Sequence, residues 1–108
     1  MRIVIHDVGN RFDSQTHADA ERRVLLTLAS IADVVQHVVV RLGRVEYSAI
    51  EAANHCIASV SVYLRSGGQV NLASHGQHPS DAIDRVTGRM AAAMETYVKA
   101  TESTASGP

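Results

Sequence analysis

Arg85 and Arg89 stand four residues apart in the last third of the chain. On a helix that spacing puts both guanidinium groups on one face. A guanidinium is a rigid fork of donors that matches phosphate geometry, so the pair suits a clamp on a nucleic-acid backbone. The competing reading is a solvated helix face, with Asp81 bonding Arg85 across one turn. Arg22 and Arg23 form a second basic pair, and Asp19, four before Arg23, can make the same kind of local bond. Lys99 is the last cation of the chain.

Other residues with chemical potential form weaker patterns. The chain has 6 histidines and a single cysteine, Cys56. His75 and His78, with His55 beside Cys56, invite a metal reading. A zinc site needs three or four converging ligands, and strand alternation turns Cys56 inward and His55 outward. No metal or cofactor is therefore expected, and Cys56 reads as a small buried hydrophobe. Surface histidines are the simpler account, and they would add positive charge near or below pH 6.5. No serine, cysteine or carboxylate falls into a catalytic arrangement. Ser66-Gly67-Gly68 lacks the lysine and following helix of a phosphate-binding loop. The chain is expected to have no catalytic activity.

The elements that must position these residues follow from periodicity. Arg2 to Val8 alternates, with Ile3 and Ile5 on one face and Arg2, Val4 and His6 on the other, which is a strand pattern. Asp13 to Ala32 reads as a helix, with Asp13 or Ser14 as its cap and Val24, Leu25, Leu28 and Ile31 as its apolar stripe. Val34 to Val45 is rich in β-branched residues, with Val38, Val40 and Leu42 opposed to His37, Val39 and Arg41. Tyr47 to Asn54 is an irregular link. Asn54 to Leu64 is the clearest strand, its apolar face formed by Cys56, Ala58, Val60, Val62 and Leu64. A Ser66-Gly67-Gly68 turn leads to a partner strand over Gln69 to Ser74, with Val70 and Leu72 inward. The last helix starts near His78-Pro79-Ser80. Its stripe is Ile83, Val86, Met90, Met94 and Tyr97. Gly88 in mid-helix costs about 1 kcal/mol relative to alanine, which a close approach to the sheet would explain. Residues 1–100 form one domain, and 101–108 a flexible polar tail.

The order β-α-β-β-β-α predicts an α+β, two-layer fold with two helices packed on one face of a four-stranded sheet. At 108 residues one core can be buried without staples. Hydrophobic residues at 45% and charged ones at 19% give an ordinary globular balance. The net charge of -1 argues against charge-driven adhesion to nucleic acid, so any phosphate surface needs its arginines gathered on one face. The N-terminal apolar run is too short for a signal peptide. No segment approaches the roughly 20 apolar residues of a membrane helix. A cytoplasmic protein with no membrane partner is expected.

Ala82-Ile83-Asp84-Arg85 followed by Arg89-Met90, the opening M-x-I-x-I strand, the V-x-V-x-L pattern at Val38 to Leu42 and the alternating strand ending in a glycine turn carry a family resemblance. From Met1 to about Lys99 the chain resembles the short form of the ribosome hibernation promoting factor and ribosome-associated inhibitor family, also called the sigma-54 modulation family. The resemblance implies a double-stranded-RNA-binding-domain-like fold. It also implies binding to small-subunit ribosomal RNA near the decoding centre and silencing of idle ribosomes under stress. Basic residues of the two helices meet RNA in that family. Carried over by position, these are Arg85 and Arg89, with Arg22, Arg23 and Lys99 on looser correspondence. Where relatives continue the last helix with more Lys and Arg, this chain has Ala91, Ala92, Ala93, Glu95 and Thr96. Few phosphate contacts imply modest affinity and a shallow salt slope. The alternative is a non-enzymatic protein-interaction module of the same fold, in which the open strand face or an edge strand binds protein or forms a weak homodimer.

Overall fold

The computed structural model describes residues 1–45 and 55–105, except the side chains of 45 and 101–105. The order is β1 (Arg2–Asp7), α1 (Ser14–Leu28), a 3-10 turn (Ala29–Val34), β2 (Val35–Val45), β3 (His55–Leu64), β4 (Gln69–Gly76) and α2 (Pro79–Ala105). This is the predicted β-α-β-β-β-α fold. The sheet order is β1-β2-β3-β4. β1 runs parallel to β2, as a helical crossover demands, while β2, β3 and β4 form an antiparallel meander. The link over Tyr47 to Asn54 lies outside the described residues.

Alternation decides which side of the sheet is covered. Val38, Val40 and Leu42 of β2 and Cys56, Ala58, Val60, Val62 and Leu64 of β3 are all buried. Ile3, Ile5, Val70 and Leu72 pack at the margins of the same core. From above, α2 contributes Ala82, Ile83, Val86, Met90 and Met94, and α1 contributes Ala20, Val24 and Leu28. Tyr97 hydroxyl pairs with Ser66 Oγ at 2.9 Å and ties α2 to the β3–β4 turn.

The first helix differs from its expectation in two respects. It ends at Leu28 and tightens into the 3-10 turn, in which Ile31 leaves helical geometry (φ -124°) so that the chain can swing into β2. Its buried stripe is Ala20, Val24 and Leu28, spaced by four. Leu25 lies about 100° round the helix from Val24 and is 48% exposed. The last helix is longer than expected. Its backbone continues to Ala105, through five residues of the stretch assigned to the tail. Residues 106–108 lie outside the described residues.

The entry to α1 is organised by Asp7. Its carboxylate accepts from Arg11 N–H at 2.9 Å, from Phe12 N–H at 2.8 Å and from His17 Nε2 at 2.8 Å. The side chain is only 6% exposed. Burial pushes its carboxyl up, but the His17 bond and the two backbone donors outweigh it and hold the group below its ordinary value. Asp13 caps α1, accepting from Thr16 N–H at 2.8 Å.

The close approach of helix to sheet occurs at Gly76 and not at Gly88. A Cβ on Gly76 would sit 2.7 Å from Ala82 N and 2.7 Å from Asp81 Cβ, whereas one on Gly88 would meet nothing within 4 Å. Gly76→Ala should therefore destabilise the fold by about 1–3 kcal/mol through overpacking against backbone. Gly88→Ala should stabilise it by up to about 1 kcal/mol. Urea denaturation of the two variants checks both signs. The Asp7 carboxyl, being depressed, contributes stability that is present above the ordinary value of 3.8 and is lost as pH falls through its lower folded value. Asp7→Asn should melt about 5 °C or more below wild type at neutral pH and show a flatter decline below pH 4. Thermal denaturation against pH measures both, and parallel acid limbs would refute the role of Asp7.

Candidate nucleic-acid interface

Among the described residues β4 pairs only with β3, so its other side is a sheet edge. Arg85 and Arg89 lean over that edge. Arg85 Nη1 donates to the His75 carbonyl at 2.7 Å, and Arg89 Nη1 donates to the Ala73 carbonyl. The geometry explains the spacing. Four residues of helix rise about 6 Å, and two residues of strand advance about 6.8 Å. A helix running antiparallel to β4 can thus place arginines at i and i+4 over every second carbonyl. The pair blunts the edge against a further strand. Each guanidinium carries five N–H donors, so groups not engaged by β4 are left for a phosphate.

The other sequence-derived candidates lie elsewhere. Arg23 holds the α1–α2 seam, its Nε 3.1 Å from Asp19, its Nη1 3.3 Å from the Ser80 carbonyl and 3.7 Å from Asp84. Arg22 shares Asp19 at 3.1 Å and is 70% exposed. Lys99 pairs with Glu95 at 2.9 Å, one turn back along α2. Ten residues separate it from Arg89, about 15 Å along the helix. The structure thus brings together Arg85 and Arg89, keeps Arg22 and Arg23 on α1, and leaves Lys99 near the far end of α2.

A feature the helix-centred reading passed over is the uncovered side of the sheet. Strand register aligns its side chains in rows. Arg2, His37, Tyr63 and Gln69 form one row, Val4, Val39, Ser61 and Asn71 the next, and His6, Arg41, Ser59 and Ala73 a third. The His37 and Tyr63 rings stack at 4.2 Å between centroids, 11° from parallel. His55 and His75 meet at 5.3 Å at one end. Alternation along each strand had already separated these residues from the core set. Which strands lie side by side, and hence which cations meet, needed the topology.

Cys56 is buried as expected, and burial pushes its thiol up, with Arg44 opposing and Asp81 adding to the shift. Its Sγ donates weakly to the Gln77 carbonyl at 3.9 Å. The His78 carbonyl accepts from Asp81 N–H and Ala82 N–H at the start of α2. Among the described residues, no three His, Cys, Asp or Glu side chains converge as a metal site would require. No described helix is long and apolar enough to cross a membrane.

A ribosomal subunit interface protein from Coxiella burnetii superposes with a TM-score of 0.75 at 12% identity, covering 92% of this chain and 99% of that one. The N-terminal domain of Thermus thermophilus Protein Y gives a TM-score of 0.69 at 18% identity, over 90% and 99%. The chain has the fold of the ribosomal subunit interface proteins. Both neighbours belong to the family that the sequence resembles. No protein-family model and no curated protein matches the chain.

The edge-guard geometry is testable. Arg85→Ala/Arg89→Ala uncovers the β4 carbonyls and should promote strand-to-strand self-association. In sedimentation velocity the double variant is expected to show a concentration-dependent dimer or larger species beyond any seen for wild type. A variant that sediments as wild type does would show that the arginines do not protect the edge.

Proposed function

We propose that this protein binds the small ribosomal subunit near the decoding centre, contacts its RNA, and inhibits translation in stress or stationary phase. The observation that carries the reading is the whole-length likeness in fold to a ribosomal subunit interface protein, 99% of which this chain covers. The Arg85/Arg89 pair at the β4 edge supports it, because it presents two forked cations on one exposed ridge. Inhibition would be steric, by occupation of the channel that transfer RNA and messenger RNA use. Arg22, Arg23 and Lys99 would add secondary phosphate contacts. The protein would act with ribosomes in the cytoplasm, without cofactor or catalysis.

A second reading is favoured by one specific observation. Each of the five candidate RNA-binding residues already has a partner inside the chain: a carbonyl for Arg85 and Arg89, and a carboxylate for Arg22, Arg23 and Lys99. A protein-interaction module of this fold that no longer binds ribosomes fits that arrangement, with β1 as the edge left for any weak self-pairing.

Co-sedimentation with purified small subunits through sucrose, at low and moderate salt, separates the two. Arg85→Gln/Arg89→Gln removes both charges while keeping a polar amide at each position. Wild type should pellet with the subunit in a salt-sensitive manner. The double variant should bind about tenfold or more weakly, with a salt slope smaller by about two. No binding by wild type at low salt would reject the ribosome reading and leave the interaction module.

A further inference from the structure

The uncovered face of the sheet carries a segregated charge. β1 places Arg2 and His6 on it, β2 places His37 and Arg41, β3 places His55 and Tyr63, and β4 places His75. Arg89 of α2 reaches the β4 rim. The other described positions of that face are Val4, Val39, Gly43, Ile57, Ser59, Ser61, Gln69, Asn71 and Ala73, so no described residue on it is a carboxylate. The described carboxylates belong to the helices, the 3-10 turn, the β1–α1 loop and the core side of β1, where Asp7 is held by His17. Arg2 and Arg41 are exposed and make no ion pair among the described residues.

The face also has relief. The short side chains of Ser59, Ser61 and Ala73 leave a recess between Arg41 and Arg89, with Asn71 beside it. Two guanidinium groups, two hydroxyls and an amide around a shallow hollow suit a phosphate. Two rows along the strands, about 13 Å away, the stacked His37 and Tyr63 rings lie beside Arg2. An aromatic platform flanked by cations on an open sheet holds unpaired bases, because bases in a duplex present no free ring face.

We propose that this open face is a second nucleic-acid surface, one that grips single-stranded RNA between the Arg41–Arg89 recess and the His37–Tyr63 stack and tightens as its histidines gain charge. Four of the 6 histidines lie on this one face, at 6, 37, 55 and 75. Histidine is the side chain whose ordinary titration falls near pH 6.5. No carboxylate stands among the described residues of the surface, so each proton a histidine gains there adds to the cationic field. Each protonated histidine adds a partner for phosphate and displaces a counterion from it. The surface shares Arg89 with the Arg85/Arg89 ridge but takes its other groups from the sheet, so it does not require the ribosome reading to hold.

The test uses the full chain and a fluorescently labelled eight-nucleotide single-stranded RNA, with anisotropy read at pH 7.5 and pH 5.8 over a range of salt. Wild type should bind about tenfold more tightly at the lower pH. Arg41→Ala should weaken binding at both values and reduce the salt slope by about one. His37→Ala/His75→Ala should flatten the pH response. Arg11→Ala, in the β1–α1 loop, should leave it intact, and amide shifts on RNA addition should centre on β2 and β3. Equal affinity at the two pH values would overturn the proposal. So would loss of binding in Arg11→Ala with none in Arg41→Ala, or shifts confined to the helices. Displacement by polyglutamate at the same charge concentration would overturn the RNA assignment in favour of an acidic protein segment. Because no ribosome is present, failure here leaves the sucrose-gradient result untouched, and the reverse also holds.

Discussion

A strand sends successive side chains to opposite sides of its sheet, and among the described residues only one of those sides is covered. Almost every other feature depends on that constraint. The residues in phase with Val38, Val60 and Val62 are mostly apolar, because two helices are laid over them, and Asp7, Arg44 and Ser74 are the polar members of that set. The residues out of phase meet no helix and are released from packing demands. They are the positions where a sequence can collect polar, aromatic and titratable groups without loss of stability. The core fixes which residues are free, and the freed residues are where recognition can be built.

The same two-layer arrangement creates a need that the arginines of α2 meet. Covering one face leaves the sheet with edges, and β4 is one of them. A helix lying along β4 can guard it only with side chains long enough to curl over the rim and rich enough in donors to satisfy carbonyls. Arg85 and Arg89 do this, and a lysine at either position would lack the fork that serves a carbonyl and an external anion together. Edge protection and phosphate binding therefore do not exclude one another. The carbonyl bonds immobilise the guanidinium groups before any ligand arrives, which lowers the entropy lost on binding. The price is that part of each fork is committed.

Element order, strand faces and the core were legible because they rest on local periodicity. Period-two alternation in β3 and a three-to-four spacing in α2 are properties of short windows. What stayed hidden depended on who lies beside whom. The partner of Arg85 is ten residues away in sequence and that of Arg89 sixteen, and a helical-face argument directed toward Asp81 could not find either. Gly76 lies beyond the strand expected over Gln69 to Ser74 and drew no notice. Only the descent of α2 onto β4 shows that its missing side chain makes room for the backbone at Ala82. Gly88, the glycine that drew notice by breaking a helix, has open space around it. The Asp7–His17 pair bridges a strand end and a helix across a turn, with no spacing rule to announce it. The rows on the open face were half legible: alternation named their members, while the parallel β1–β2 pairing that puts Arg2 beside His37 came from topology.

A net charge of -1 and a pI of about 6.6 argue against polyanion binding only if charge acts as an average. Exposed charges lose sight of one another beyond about 8–10 Å at ordinary ionic strength. A helix with its side chains is about 10–12 Å across, so carboxylates on the outer surfaces of α1 and α2 are separated from the open sheet face by more than a screening length. A bound strand therefore responds to the cations in its own layer. The carboxylates on the helix side keep the molecule near neutrality as a whole. They would limit indiscriminate adhesion to nucleic acid while leaving a local cationic field intact. Near-neutral composition and a dedicated anion surface are compatible once the two layers are treated as electrostatically distinct. The placement of the described carboxylates away from the open face, and not the chain's total, then decides what that face can hold.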